Sequence, residues 1–497
     1  MFDWLETILK KIRKMDGSID KYKKDTVIQS LPSLAYVNRA KKLIEGGYLK
    51  EAENILNSAL NLPQEDALVY KYLGIVAEKT GRKSDAIVAY KKAAKINPHD
   101  KDIWRQLGFV LVSVNFAEEA AECFENANKI TPLNTDVYTG WGMSLLKLKK
   151  LNEAHEKFVQ ASKIDKYNFM AMLLSAIVEI KTGQYDDAEM KLKFLASVSP
   201  NESNTYEYAH LKYLKEDFEG AIHYAKKALT YNSMMLPAYV LLGEIYYKLK
   251  DEKNSLAAYN QAFQKELINE ELYREWGTAL QVFEKYDEAQ EKFQKVLSVS
   301  PDRMEAKAGM ALCLAFRGEV DGAFEILNSL SEEDKKYYLS QKAFGFAEYH
   351  SGNYSNAVDC FKNVLKTESY DSKLLYYIAK SYQALDNEVL AKEYFEKSAR
   401  ENPSHIPTYL DYADFLISKG EYADCQRKLR KILRGNENNT EILNKLFYVG
   451  YILVKENVCE YNVKETLAIA DKIVSINSDD FKYPNEKNEL SDMLNKL

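Results

Sequence analysis

A glycine or alanine recurs at Ala40, Gly74, Gly108, Gly142, Ala176, Ala209, Gly243, Gly277, Ala311, Gly345, Ala379 and Ala413, each 34 residues after the last except for one step of 33. A second ladder follows twelve residues behind, at Ala52, Ala86, Ala120, Ala154, Ala188, Ala221, Ser255, Ala289, Ala323, Ala357, Ala391 and Cys425. A chain written in one short repeated unit does not fold around a single core. Each unit is too small to bury its own apolar flank and buries it against its neighbours. Two small-residue notches per period predict two close helix contacts per unit.

Between the notches the apolar residues keep helical spacing, as in Tyr70, Leu73, Gly74 and Ala77, then Ala86, Tyr90 and Ala93 beyond Gly81. Each unit therefore reads as a helical hairpin. Gly47, Gly81, Gly183, Gly318, Gly352 and Gly420 share one phase, where the first helix must stop and turn. Pro98, Pro132, Pro200, Pro301 and Pro403 share another, just past the second helix, where a missing N–H costs little.

This spacing resembles the tetratricopeptide repeat, whose pattern is W-x2-L-G-x2-Y, then A-x3-F, then P. Trp104, Leu107, Gly108 and Leu111, followed by Ala120, Phe124, Ala127 and Pro132, match it with Leu in the Tyr slot. Tyr138, Trp141, Gly142, Leu145, Ala154, Phe158 and Ala161 match with Trp141 in the Leu slot and Lys166 where the proline would stand, and Tyr239, Leu242, Gly243, Tyr246, Tyr259 and Ala262 match with Ser255 at the second notch. Twelve units in register occupy 33–439. The resemblance implies an all-α fold, a right-handed α-α superhelix (α-solenoid) of twelve to thirteen hairpins acting as a non-catalytic scaffold for a protein or peptide partner.

A divergent thirteenth unit is expected over 440–480, with Phe447 in the notch and 455–463 too long for the usual turn, and a closing polar helix over 481–497. At the other end, residues 1–32 precede the array. Phe2, Leu5, Ile8, Leu9, Ile12 and Met15 fall on one helical face, with Lys10, Lys11, Arg13 and Lys14 elsewhere. Such a segment suits a capping helix over the first repeat, or a helix over 1–25 lying on a membrane surface with Trp4 as its anchor.

Several function classes are disfavoured. A net charge of −6, with the basic residues interleaved among acids, argues against nucleic acid as a partner. Cys123, Cys313, Cys360, Cys425 and Cys459 form no CxxC pair and read as reduced, packed thiols of a cytoplasmic protein. No stretch approaches a membrane span. The six histidines make no HExxH, and no phosphate-binding glycine loop follows a strand, so no catalytic residue, metal site or cofactor is expected.

What remains is surface. In the family that the chain resembles, the first helix of each unit lines the inner face, with ligand contacts at its second, fifth, ninth and twelfth positions. Positions five, nine and twelve read here as Arg105, Phe109 and Val112; then Thr139, Met143 and Leu146; then Leu173, Ile177 and Ile180, an apolar floor. Tyr206, His210 and Tyr213, with Tyr247, follow as an aromatic wall. A helix that is apolar on a second face has something to bury there: a peptide partner in the groove, or the neighbouring first helices themselves. Two binding chemistries of the family are not supplied. The carboxylate clamp needs Lys and Asn where Lys71 stands with Ile75 and Arg105 with Phe109, and an asparagine ladder fails after Asn38 at Tyr72, Gln106 and Gly140. The expected function is a protein-interaction scaffold; an assembly or secretion factor peripheral to a membrane, and a regulatory subunit of a separate enzyme, are the alternatives.

Overall fold

The computed structural model describes residues 33–367, 371–457 and 460–496. The apolar N-terminal face over 1–25, with its capping or membrane role, lies outside them. Every regular element among the described residues is helical. Paired helices follow one another as hairpins: Ser33–Glu45 with Leu49–Ala59, Ala67–Lys79 with Lys83–Ile96, Lys101–Ser113 with Ala117–Ile130, Thr135–Lys147 with Leu151–Ile164, Phe169–Lys181 with Tyr185–Val198, and Glu202–Leu214 with Phe218–Tyr231. Leu236–Lys248 and Glu252–Gln264 follow seventh in chain order. Then come Glu270–Val282 with Tyr286–Val299, Met304–Phe316 with Val320–Asn328, Tyr338–His350 with Tyr354–Leu365, Ser372–Ala384 with Glu388–Glu401, Ile406–Ser418 with Tyr422–Leu433, and Thr440–Glu456 with Glu460–Ile476. A last helix spans Pro484–Lys496. The hairpins are numbered one to thirteen below. The chain divides into two compact units, 1–249 with 260–267, and 250–259 with 268–497.

The turn inside each of the first twelve hairpins is set by one residue in the left-handed region. Gly47, Gly81, Asn115, Lys149, Gly183, Glu216, Lys250, Glu284, Gly318, Gly352, Asp386 and Gly420 have φ between 55° and 83°. Sequence phase reveals the six glycines, whereas six other side chains adopt the same backbone. That conformation lets the next N–H reach back and close the helix, Arg82 N to Ala77 O at 2.8 Å and Phe116 N to Leu111 O at 3.0 Å. The single 33-residue step is a shortened linker, 199–201. There Asn201 Oδ1 caps the next helix through the Ser203 and Asn204 N–H groups, and Asn204 caps Asn201 N in return.

The first notch exists because a large side chain of the same hairpin's second helix lies across it. A Cβ on Gly74 would stand 2.6 Å from the Tyr90 ring, on Gly108 2.8 Å from Phe124, on Gly142 2.5 Å from Phe158, on Gly277 2.9 Å from Phe293, and on Gly345 2.5 Å from Phe361. Where the notch is alanine, the facing slot holds a smaller residue: Ala40 with Leu56, Ala176 with Leu192, Ala209 with Ala225, Ala311 with Leu327, Ala413 with Leu429. The two positions trade volume, as close packing demands. Ala379 with Phe395 departs from the trade; that ring is stacked on Tyr412 at 5.2 Å.

Hairpin thirteen shows why its sequence frays. Phe447 is fully buried against Phe481 and Tyr483, and the close approach moves three residues on, to Gly450, where a Cβ would lie 2.9 Å from Thr466 Oγ1. The last helix buries Leu490 in the same cluster, so it is amphipathic rather than polar throughout.

Candidate protein-binding surface

Consecutive first helices are tied side by side, and the ties consume the side chains that a groove would offer. Helix N-caps form a ladder of their own, at Asp66, Asp100, Asn134, Asn168, Asn201, Asn269, Asp371 and Asn439. Position five of the preceding hairpin reaches several of these caps. Lys71 Nζ lies 3.0 Å from Asp100 Oδ2, Lys342 Nζ 3.0 Å from Asp371 Oδ2, and Asn168 Nδ2 donates to Thr139 Oγ1 at 3.0 Å. Arg105 stands at the same phase between Asp102, at 3.9 Å, and Asp136, at 3.6 Å. Each of these rungs joins position five to a group that caps or opens the next helix: Asp100, Asp371, Asn168 or Asp136. Position five is therefore a stacking residue as well as a surface one.

The apolar floor is corrected by burial. Phe109 is 8% exposed, Val112 0%, Met143 1%, Leu173 4%, Ile177 6% and Ile180 7%. Phe109 shows how this comes about: its ring meets Phe124 edge-on at 5.1 Å and enters the space left by Gly140 of the next first helix, whose Cβ would stand 3.0 Å from it. These six side chains hold hairpins three to five together and have almost no face left for a partner. Leu146 stays half-buried beside them.

The aromatic wall divides likewise. Tyr213 is buried, and its hydroxyl donates to Glu244 Oε1 while Lys248 Nζ sits 4.6 Å from its ring centre. Tyr206, His210 and Tyr247 keep partial exposure, and the Tyr206 and His210 rings stack at 6.3 Å.

A longer aromatic file, which sequence spacing did not single out, runs through the second unit. Tyr286 stacks on Phe316 at 4.4 Å, Phe316 meets Phe346 at 4.0 Å, Phe346 meets Tyr377 at 4.8 Å, Tyr377 meets Tyr349 at 5.0 Å and Tyr376 at 5.1 Å, and Tyr376 meets His405 at 5.7 Å. Lys373 staples it, with Nζ 2.8 Å from Glu284 Oε1, 3.2 Å from the Tyr286 hydroxyl and 4.4 Å from the Phe316 ring centre. Burial pushes the Tyr349 phenol up to about 12 and raises those of Tyr286, Tyr376 and Tyr377. The file stays uncharged at neutral pH. Its residues fall at different positions of successive repeats, so no single phase marks them; the adjacent pair Tyr376 and Tyr377 is the one local signal.

An all-helical array of hairpins, stacked through small-residue notches and capped rungs, defines the class of helical-repeat scaffolds. The tetratricopeptide repeat family matches residues 67–100, 236–264, 283–343 and 373–405, and the second ARM domain of tetratricopeptide repeat protein 21 matches 110–208. A TPR repeat-containing protein of Methanocaldococcus jannaschii is 24% identical over 306 residues, covering 58% of this chain; the chain spans about half of that relative's length, 50%. The crystal structure of the APC/C hetero-tetramer Cut9–Hcn1 superposes with a TM-score of 0.51 at 15% identity, over 93% of this chain and 96% of that one. A tetratricopeptide repeat protein from Parabacteroides merdae has a TM-score of 0.43 at 18% identity, over 50% of this chain and 98% of its own. The chain belongs to the tetratricopeptide repeat family.

Among the described residues no helix is long and apolar enough to cross a membrane, and no group of three His, Cys, Asp or Glu is placed to hold a metal ion.

Proposed function

We propose that the chain is a non-catalytic scaffold that captures an extended or helical segment of a partner protein on the face of its first helices, through the half-exposed Tyr206, His210 and Tyr247 with Arg105 and Leu146 at the margin. The observation that carries this reading is the stacked Tyr206 and His210 pair, two aromatic rings left partly exposed on a face where Phe109, Met143, Leu173 and Ile177 are buried. Rigid aromatic area with a polar tip is what interface anchors are made of. The hetero-tetramer whose fold this array resembles is itself a multi-chain assembly, in keeping with such a role. In the same reading 33–439 forms twelve repeat units, 440–480 a divergent thirteenth, and 481–497 closes the array.

Affinity capture from a native lysate, with the wild-type chain and with Tyr206→Ala/His210→Ala/Tyr247→Ala as baits, tests this. A partner that is retained by the wild type should be depleted about 30-fold or more on the variant, since anchors of this kind cost about 2 kcal/mol or more when truncated. Equal capture by both baits, with unchanged helical circular dichroism, would overturn the assignment. Phe109→Ala with Ile177→Ala is the wrong probe, because both side chains are core and their loss unravels the stack.

A further inference from the structure

The second-helix face carries a feature that the net acidity of the chain hides. Between hairpins eleven and twelve lies an open recess of about 640 Å³, lined by Arg400, Arg427, Lys428, Arg430, Lys431 and Arg434, with Glu396 as its one carboxylate. Several cations elsewhere, on second helices or in hairpin turns, find an acid on an adjacent hairpin: Lys91 with Glu119 at 2.7 Å, Lys285 with Glu252 at 2.9 Å, Arg317 with Asp287 at 2.6 Å, Lys419 with Glu388 at 2.6 Å; exposed lysines such as Lys163 and Lys193 stand singly among the described residues. In the recess Lys428 reaches Glu396 at 3.5 Å, Arg430 reaches Glu465 at 2.8 Å, and Arg427 pairs with Asp424. Among the described residues no ion pair reaches Arg400, Lys431 or Arg434, and all three are exposed. Attraction to helix C-terminal ends accounts for Arg400, Arg430 and Lys431, each in the last turn of its helix, but not for Arg427 and Lys428 further up, nor for the convergence of both helix ends on one recess with a single carboxylate.

We propose that this recess docks an acidic segment of a partner polypeptide, independently of the first-helix face. Four of the six cations are guanidinium forks, which suit carboxylates pairwise. The recess is of the size that takes a ligand of several residues rather than a single anion. Nucleic acid would call for exposed rings to stack on, and the one aromatic of the lining, Tyr409, is buried with its hydroxyl on Ala399 O at 3.3 Å. A bilayer would call for a large apolar side chain to insert, and the lining has none exposed.

Fluorescence anisotropy of the full chain, with a short labelled peptide of alternating glutamate and glycine, tests the proposal. Saturable binding should weaken with salt and fall at least tenfold, about 1.4 kcal/mol, in Lys431→Gln/Arg434→Gln. It should be unchanged in Lys163→Gln/Lys193→Gln, which neutralises two exposed lysines on the second helices of hairpins four and five. The glutamine counterpart of the peptide should not bind. Equal loss in both variants would show diffuse attraction and overturn the proposal. So would tighter binding of a single-stranded oligothymidine, or of vesicles containing phosphatidylserine, when that binding is what Lys431→Gln/Arg434→Gln removes.

Discussion

Placing a methyl group on Gly142 tests the volume trade on which the hairpins depend. Its Cβ would lie 2.5 Å from Phe158 Cε1 and 2.8 Å from Cδ1, well inside contact distance, and the ring is fully buried with nowhere to retreat. Overpacking of this kind costs about 1–3 kcal/mol. Replacing a mid-helix glycine by alanine returns about 1 kcal/mol through helix propensity. Gly142→Ala should therefore destabilise hairpin four by about 1 kcal/mol. Phe158→Leu alone leaves a void and should cost about 1–2 kcal/mol. Combined, they recreate the pairing that Ala176 and Leu192 make in the next hairpin. The double variant should then be more stable than the sum of the single ones by about 1 kcal/mol, within the range for residues in contact. Hydrogen exchange read by mass spectrometry on peptides from 135–164 in the full chain isolates the opening of this hairpin. Exchange no faster in Gly142→Ala than in the wild type, or single effects that add to within about 0.5 kcal/mol, would refute the reasoning.

Other consequences follow from the same contacts. Lys212 and Lys215 reach the two oxygens of Glu189 at 2.8 and 2.6 Å and hold its carboxyl at about 2 instead of the ordinary 4.5. The folded value is the lower one, so this contribution is complete above pH 4.5 and lost as pH falls towards 2. The urea midpoint should drop over that window by the equivalent of about 1–2 kcal/mol after solvent screening, and Glu189→Gln should lack the drop. Burial pushes the Cys123, Cys313 and Cys425 thiols up to about 12 and Cys360 to about 11, so these four should resist iodoacetamide at pH 8 until denaturant is added, as peptide mapping would show. Lys149→Gly should raise the stability of hairpin four by about 0.5–1 kcal/mol in the same exchange assay, because φ is 60° at an exposed turn where a side chain is strained.

Fold class was legible in the sequence because a notch must recur wherever two helices meet closely, and Gly74 or Ala176 says so whatever its neighbours are. Of the six non-glycine turn residues, Asn115 and Asp386 are types that tolerate the left-handed region, whereas Lys149, Glu216, Lys250 and Glu284 carry no local mark of a backbone that the hairpin imposes on them. The candidate surface was half legible. Angular position on a helix identified Phe109, Met143 and Ile177 as a second apolar stripe, but angle carries no information on the distance to the next hairpin. That distance depends on Gly140, which lets Phe109 enter, and on N-caps such as Asp100, which draw the first helices together. The basic recess escaped because Arg400 and Arg434 belong to different hairpins, and charge counted along the chain averages them with surrounding acids.

Carbene footprinting of the full chain, free and with a captured partner, tests the central claim most directly, namely that stacking consumes the apolar stripe and leaves recognition to the aromatic residues beyond it. Phe109, Met143 and Ile177 should stay unlabelled in both states, while Tyr206, His210 and Tyr247 are labelled in the free chain and protected in the complex. Labelling of Met143 or Ile177 in the free chain that disappears on partner binding would contradict the account.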